Sequence, residues 1–411
     1  MFKIVRFPSN LNSFFRSLTT EFHWEHFEYF RVLVLLIACS WSRRNVSALY
    51  RSVDETVFPH RTRFNNFLNL DRWDSKKALA RKVDELLGSL NLGKGDVIEL
   101  IIDDSKKAKS GKSMEAVGWV FDNVSKRSIL GHQYVQATLR VKNHTIPFGV
   151  RLYVKKEDCS SLGIKFQKTT HLAAELINSF HAPKGVKVRV LFDTFYLCPG
   201  VIKACLEKGF YFVSTLKNNR NLFKNGRKLK AGIYGKNLFR RKKTRQFSVL
   251  ATSTTATYTY VDAGWISVST LGVLHIVFSR KNKDPNILGI VTDEPDLTPA
   301  KIIKAYDSRW SIEVFFKDAK QLLGLGQYQN RSYKAAVIHL HLVCFAYALL
   351  THIAIQRECA QGKRKKAAKL STKDLQNELR RIVWNDLTDY LKELPDGNSV
   401  IKELSRLLVA A

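Results

Sequence analysis

Several signals are missing from this chain, and each absence removes a class of protein. The six cysteines, Cys39, Cys159, Cys198, Cys205, Cys344 and Cys359, form no CxxC pair and have no histidine at zinc-finger spacing. A disulfide scaffold and a structural zinc site are therefore set aside, and the thiols read as reduced and mostly buried. The start, MFKIVRFPSN, lacks the apolar stretch of a secretory signal. Val32 to Cys39 is an apolar run of only eight residues, too short to span a bilayer. Ala335 to Ile355 is long enough, but His339, His341 and His352 interrupt it, and the reading is a buried helix rather than a membrane span. His339 and His341, two residues apart, point to different sides of that helix and read as core groups rather than metal ligands.

Acid is also scarce. Against 67 Lys and Arg stand 36 Asp and Glu, a formal net charge of +31 over 411 residues. Such an excess costs self-repulsion in the folded state and fits a polyanionic partner. Acidic membranes attract basic proteins too, so charge by itself does not select nucleic acid. A hydrophobic content of 45% excludes a largely disordered basic tail. The length allows roughly two to four domains with substantial cores.

Residues 1–92 read as helical, with apolar stretches at Tyr29–Trp41 and Ala78–Leu90 and Arg43, Arg44, Arg51, Arg61 and Arg63 between them. This region is either a helical DNA-binding domain or a helical cap. Residues 93–216 alternate strand and helix signals: strands at 97–103, 116–122, 129–138 and 145–154, a helix at 166–180, and strands at 186–194 and 211–216. Residues 217–286 read as a β-rich insertion. Its entry, 217–245, carries twelve Lys or Arg and no acid, which marks a contact to phosphate more than a solvated loop. Arg240, Arg241, Lys242 and Lys243 are its densest cluster. A returning strand at 287–292 opens the segment 287–360. The final segment, 361–411, combines a basic linker, Gly362-Lys363-Arg364-Lys365-Lys366, with one or two amphipathic helices. The linker has the look of a nuclear-localisation run, and contact with DNA backbone is the preferred reading.

The chemistry concentrates in three places. Val97 to Asp103 and Val186 to Asp193 are β-branched, apolar runs that each end in Asp. In a parallel or mixed α/β sheet, ligand sites gather at the carboxyl ends of such strands. The third place is YDSRWSIEVFFKDAK, residues 306–320. Wound as one α-helix it puts Tyr306, Arg309, Glu313 and Lys320 within roughly 60° of one another. Ala305, Ile312, Phe315, Phe316, Ala319 and Leu323 take the opposite arc and face a core. On helix geometry alone, a solvated charged face is the preferred reading of the pattern. Two strand-end Asp residues and a helix-borne Glu make an oxygen cage suited to Mg²⁺, with Mn²⁺ as a substitute. Two such ions, about 4 Å apart, stabilise the attacking and leaving oxygens of phosphodiester displacement.

Asp103-Asp104-Ser105, Asp193 and Tyr306-x2-Arg309-x3-Glu313-x6-Lys320 resemble the DDE-type cut-and-paste transposases of bacterial insertion sequences, in the branch marked by a Tyr-Arg-Glu-Lys signature. Trp310, Phe315-Phe316, Gly111-Lys112 and Gly131-His132 fit as well, and the resemblance spans residues 95–355. It implies an α/β, RNase H-like catalytic core with a β-rich insertion, flanked by helical N- and C-terminal regions. It implies Asp103, Asp193 and Glu313 as catalytic metal ligands. Asp103 is preferred to Asp104 by the family's Asp-x-Ser/Thr pattern, and strand alternation turns the two side chains apart. Arg309 and Lys320 would grip DNA phosphates and Tyr306 would donate to one. Trp310 would stack on a displaced base or pack. The implied partners are double-stranded DNA with terminal inverted repeats, target DNA and a second copy in a paired-end homodimer. No membrane is implied, and the setting is a bacterial cytoplasm at the nucleoid. The implied route passes through a DNA hairpin. A nuclease without strand transfer and a non-catalytic DNA-binding protein are the alternatives.

Overall fold

The computed structural model describes residues 3–70, 73–111, 113–122, 125–251, 254–282, 284–361 and 370–408. Five helices come first: α1 (Asn12–Phe15), α2 (Trp24–Cys39), α3 (Val46–Tyr50), α4 (Arg61–Asn69) and α5 (Ser75–Ser89). Local chemistry sets two of their starts. Asn45 accepts the backbone N–H of Ala48 at α3, and Asp74 accepts those of Lys76 and Lys77 at α5. Val32 to Cys39, the short apolar run, is the buried half of α2.

Four strands follow, β1 (Val97–Ala108), β2 (Gly118–Asp122), β3 (Arg127–Val141) and β4 (His144–Leu152), then α6 (Lys156–Cys159) and α7 (Thr169–Ser179). The chain continues through β5 (Lys187–Phe192), α8 (Pro199–Glu207) and β6 (Tyr211–Leu216). β3 lies antiparallel between β1 and β4, whereas β5 runs parallel to β1 and β6 parallel to β5. The spatial order β4-β3-β1-β5-β6 is that of an RNase H-like core. Helices supply the crossovers that parallel strands require.

The insertion comprises β7 (Asn221–Lys224), β8 (Arg227–Lys230), α9 (Ala231–Arg241), β9 (Arg245–Ala251), β10 (Thr254–Val268) and β11 (Gly272–Lys281), and β12 (Leu288–Thr292) returns from it. All these strands join one 12-stranded sheet, ordered β2-β3-β1-β5-β6-β12-β11-β10-β7-β8, with β4 on β3 and β9 on β10. The insertion thus prolongs the core's own sheet. Its cationic entry is largely regular structure, with Arg240 and Arg241 in the last turn of α9.

The remainder is helical: α10 (Pro299–Asp307), α11 (Trp310–Leu322), α12 (Tyr333–Gln361), α13 (Thr372–Lys392) and α14 (Gly397–Leu407). By length and composition α12 could cross a membrane, but 89% of its apolar window is buried inside the protein. It packs against β4, α2, α4, α5 and α13, so the N-terminal helices cap the sheet through it. The basic run Gly362 to Lys366 lies outside the described residues.

Two sequence expectations change. β1 does not end at Asp103; it pairs with β3 as far as Ala108 opposite Gly131. Close backbone approach explains the glycine, because a Cβ on Gly131 would lie 2.3 Å from the Lys107 carbonyl oxygen. Residues 306–320 are not one helix. The Ser308 hydroxyl donates to Glu99 Oε2 at 2.6 Å and also bonds the Ala305 carbonyl at 2.7 Å. Around it, Arg309, Ser311 and Ile312 each donate to the carbonyl three residues back. This tightened turn separates α10 from α11 and breaks the regular 3.6-residue winding.

Candidate active site

Backbone register brings the two aspartates together. The parallel β1–β5 ladder closes with Ile101 opposite Leu191, and two steps onward the register sets Asp103 beside Asp193. Asp193 is the first residue after β5 and is held there by its own turn, Oδ1 accepting the N–H groups of Phe195 at 2.9 Å and Tyr196 at 3.4 Å. α11 supplies the third carboxylate, Glu313, in its first turn. Its apolar side buries Ile312, Phe315, Phe316 and Ala319, and Phe316 meets Tyr134 of β3 edge-on at 6.3 Å. That contact lays the helix across the face of β1 that carries Asp103, since Tyr134 pairs with Ser105 in the same ladder.

Arg309, at the junction of α10 and α11, joins the pieces. One guanidinium nitrogen lies 3.0 Å from Asp103 Oδ2 and another 2.6 Å from Glu313 Oε1. The resemblance implies a DNA phosphate for this guanidinium; in the DNA-free protein it bridges two carboxylates. Its buried Nε has no hydrogen-bond partner. Burial works against the charge, but Tyr306, Asp103 and Glu313 outweigh it and hold Arg309 firmly protonated.

Burial raises the Asp103 carboxyl to about 7, with Asp193 and Asp104 adding to the shift and Arg309 opposing it. Burial also raises Asp193, against the two N–H bonds it accepts and against Arg309. Asp104 points the other way, to Lys106 Nζ at 3.0 Å, Gln133 Nε2 at 2.8 Å and the Tyr196 hydroxyl at 3.4 Å. The alternation expected of the Asp-Asp pair is what the strand displays, with only Asp103 turned to α11.

The other candidates divide. Lys320 Nζ donates to Ser105 Oγ at 2.6 Å; burial lowers its pKa, and Lys107 and Lys106 lower it further. Tyr306 belongs to α10, and its hydroxyl meets Thr215 Oγ1 of β6 at 3.2 Å, with the Arg309 guanidinium 5.6 Å from its ring centre. Trp310 is 63% exposed beside Arg309. Arg240, Arg241, Lys242 and Lys243 are exposed at the end of α9, which packs on β8, β10 and β12.

Sequence reasoning missed Glu99 and Ser308, which fix the break before α11, and Lys106 and Lys107, which crowd Lys320. Glu99 carried a signal, as the one charge inside an otherwise apolar strand run. Burial raises its pKa, against the Ser308 hydroxyl and Arg140.

Among the described residues, no three His, Cys, Asp or Glu side chains stand close enough together to hold a metal ion. Asp103 and Glu313 nevertheless hold one buried cation between them, and Asp193 feels its charge, so the three supply the all-oxygen donor types that suit a hard divalent ion. The donor types fit; the guanidinium between Asp103 and Glu313 must move for all three to converge.

Residues 167–349 match the family model described as the Transposase DDE domain. That span holds Asp193 and the Tyr306, Arg309, Glu313, Lys320 series but not Asp103. A piggyBac transposase synaptic complex with hairpin DNA is similar to this chain at 10% identity and a TM-score of 0.45, over 97% of this chain and 81% of that one. A Drosophila P element transposase strand transfer complex is similar at 14% identity and a TM-score of 0.21, over 56% of this chain and 55% of that one. No curated protein matches the sequence.

Proposed function

We propose that this protein is a DDE transposase that cuts DNA at transposon ends and joins the freed 3′-hydroxyls to target DNA. The observation that carries this reading is the parallel β1–β5 ladder, which leads Asp103 and Asp193 out side by side so that the Asp193 charge acts on Asp103, under a helix that presents Glu313, within a chain whose residues 167–349 match a transposase DDE domain.

Asp103, Asp193 and Glu313 would hold Mg²⁺ or Mn²⁺, as a pair of ions. When bound, the metal supplies an activated water or 3′-hydroxyl and neutralises the leaving oxygen. The protein's own residues do the positioning. Arg309 exchanges its two carboxylates for the scissile phosphate, where its planar fork binds two oxygens. Lys320, anchored on Ser105, adds a point charge to the neighbouring phosphate. Tyr306, pinned by Thr215, offers its ring as a wall for Arg309. Trp310, exposed beside the site, takes the base that a bent strand releases. Arg240, Arg241, Lys242 and Lys243 contribute sequence-independent affinity, with Arg43, Arg51, Arg61 and Arg63 on the exposed surface of the N-terminal cap. The substrate ends are terminal inverted repeats, paired by two copies of the chain, in the bacterial cytoplasm at the nucleoid.

One site cuts both strands in turn on this reading. The first nick frees a 3′-hydroxyl that attacks the opposite strand and closes a hairpin, which water reopens. End-labelled element DNA incubated with the protein and Mg²⁺ should give a slow-migrating fold-back product on a denaturing gel, then joined product with target plasmid. Open breaks with no joined product at any time would leave a nuclease without strand transfer.

A further inference from the structure

The face of the sheet that carries the carboxylates continues past them. Along the β1–β3 ladder Asp103 stands opposite Gln136, Ser105 opposite Tyr134 and Lys107 opposite His132. Side chains directly opposite in an antiparallel pair share a face. β3 then pairs with β2, Leu130 opposite Trp119 and Ser128 opposite Phe121, with no register shift. Counting by twos along β3 puts Trp119 and Phe121 on the face of Asp103. β1 stops at Ala108, opposite Gly131, so β2 and the start of β3 reach beyond it as a two-stranded arm.

On that arm Trp119 is 63% exposed and Phe121 54%, whereas Val120, turned to the other face, is buried. Between the arm and the carboxylates lie cations. Lys320 is bonded to Ser105, and Lys109 sits over the Tyr328 ring at 3.4 Å with its ammonium on the Gly326 and Tyr328 carbonyls. Lys107 acts on both as a like charge. Asp122 offsets part of that repulsion at Lys320, and a polyanion relieves the rest. From the level of Gln136 to that of Leu130 the strand rises roughly 20 Å at ~3.3 Å per residue, so the aromatics stand several nucleotides from the scissile phosphate.

We propose that Trp119 and Phe121 form a stacking platform for unpaired bases of the DNA strand that leads away from the carboxylate site. Phosphates of that strand run over Lys320 and Lys107, and its base faces meet the two rings, the arrangement by which proteins hold single strands without reading sequence. The charge of the face and its continuity with the carboxylates select DNA over a second protein chain. The proposal rests on the transposase reading.

The test uses the full-length protein without divalent metal, so that no strand is cut. The probe is element-end DNA whose flank is unpaired and carries 2-aminopurine, with fully duplex DNA of the same sequence beside it. Trp119→Ala and Phe121→Ala should each weaken binding to the unpaired-flank probe about tenfold and relieve the quenching of 2-aminopurine. Duplex binding should stay within about twofold, the salt slope should not change, and Trp119→Phe should restore most of the loss. Unchanged quenching and affinity in the double variant would overturn the platform, as would an equal loss on duplex DNA. Intact binding with a shifted sedimentation mass would overturn it in favour of a protein interface. A wild-type protein that binds neither DNA would instead count against the transposase reading.

Discussion

The two halves of the shared sheet are hydrogen-bonded into one ladder and handle charge in opposite ways. In the core half, β1 to β6, the charged groups around Asp103 are at least half-buried and paired. Arg309 bridges Asp103 and Glu313, Asp104 is tied to Lys106, and Asp103 is raised to about 7. In the insertion, Arg227, Lys228, Lys230, Lys236, Arg240, Arg241, Lys242, Lys243 and Arg245 are exposed. Bond-breaking needs a few charges at fixed distances in a place that water does not screen. Holding a long polyanion needs many charges, each weak and replaceable. On the proposed reading one sheet supplies both, because exposure, rather than residue type, decides which role a charge plays.

The largest effects should come from the core half. Asp103→Asn, Asp193→Asn and Glu313→Gln should each lower Mg²⁺-dependent cleavage by on the order of 10³-fold or more, with combinations no worse than singles, because the groups act as a unit. DNA affinity, measured by mobility shift, should change little. A near wild-type rate in any single variant removes that residue from the site. Asp104→Asn dead beside an active Asp103→Asn would show that the strand alternation has been assigned to the wrong aspartate.

Arg309 sharpens the contrast. Arg309→Ala should lower cleavage about 100-fold, the scale of one lost transition-state donor. It should also raise Mn²⁺ affinity without DNA, followed by calorimetry, because two carboxylates lose their internal cation. Arg309→Lys should not restore the rate, lacking the planar fork. Asp103 makes the same affinity depend on pH. Its folded pKa is raised, so its proton competes with metal, and Mn²⁺ affinity should climb as pH rises through about 7. The raised pKa also means that the protonated group favours the native state at low pH and that this contribution disappears through about 7. Asp103→Asn should therefore stabilise the metal-free protein more at pH 8 than at pH 5. No difference between these pH values would contradict the burial ascribed to Asp103.

Acid should attack the core half first. Burial lowers His132, His339, His341 and His352 to about 4. Native protein thus binds fewer protons than unfolded chain between about 6.5 and 4, and stability present above 6.5 is lost as pH falls across that window. Each histidine contributes up to about 1.4 kcal/mol per pH unit. Urea unfolding at pH 7 and pH 5 should differ by several kcal/mol, and hydrogen exchange at pH 5 should open α12 and β3 before β10 and β11. Simultaneous opening would mean that the two halves do not differ in this respect.

The smallest and most salt-sensitive effect belongs to the insertion. Neutral replacements of Arg240, Arg241, Lys242 and Lys243 should reduce the slope of log K against log salt by about 3.6, at ~0.9 per phosphate contact. Stability should move by less than about 0.5 kcal/mol, as exposed substitutions do. An unchanged slope would remove these four from the DNA contact.

Much of the site was legible because its elements announce themselves by period. The apolar runs before Asp103 and Asp193, the amphipathic stretch around Glu313 and the acid-free segment 217–245 are local patterns, and a local pattern is enough to specify a strand, a helix face or an exposed cationic surface. The apolar residues set opposite Glu313, from Ile312 to Leu323, are all buried as that period required. Three things resisted. The length of β1 depends on Gly131, 28 positions after Asp103 in the chain. The break at Ser308 depends on Glu99, more than two hundred positions earlier. The Arg309–Glu313 contact is local, four residues apart, but the Arg309–Asp103 ion pair joins positions 206 apart and no local pattern shows it.

The sequence by itself determined the periodicities, the sign and placement of charge, and the order of Asp, Asp and Glu along the chain. These follow from side-chain volume, polarity and backbone preference over a few residues. Tertiary structure alone decided that Asp103 falls beside Asp193, that a guanidinium stands between Asp103 and Glu313, and that Trp119 and Phe121 share the face of the carboxylates. The first and third are matters of register between segments distant in the chain, and the second of how α11 docks on β1. Register is set by pairing across the whole sheet, where a shift of one residue would turn every side chain to the other face.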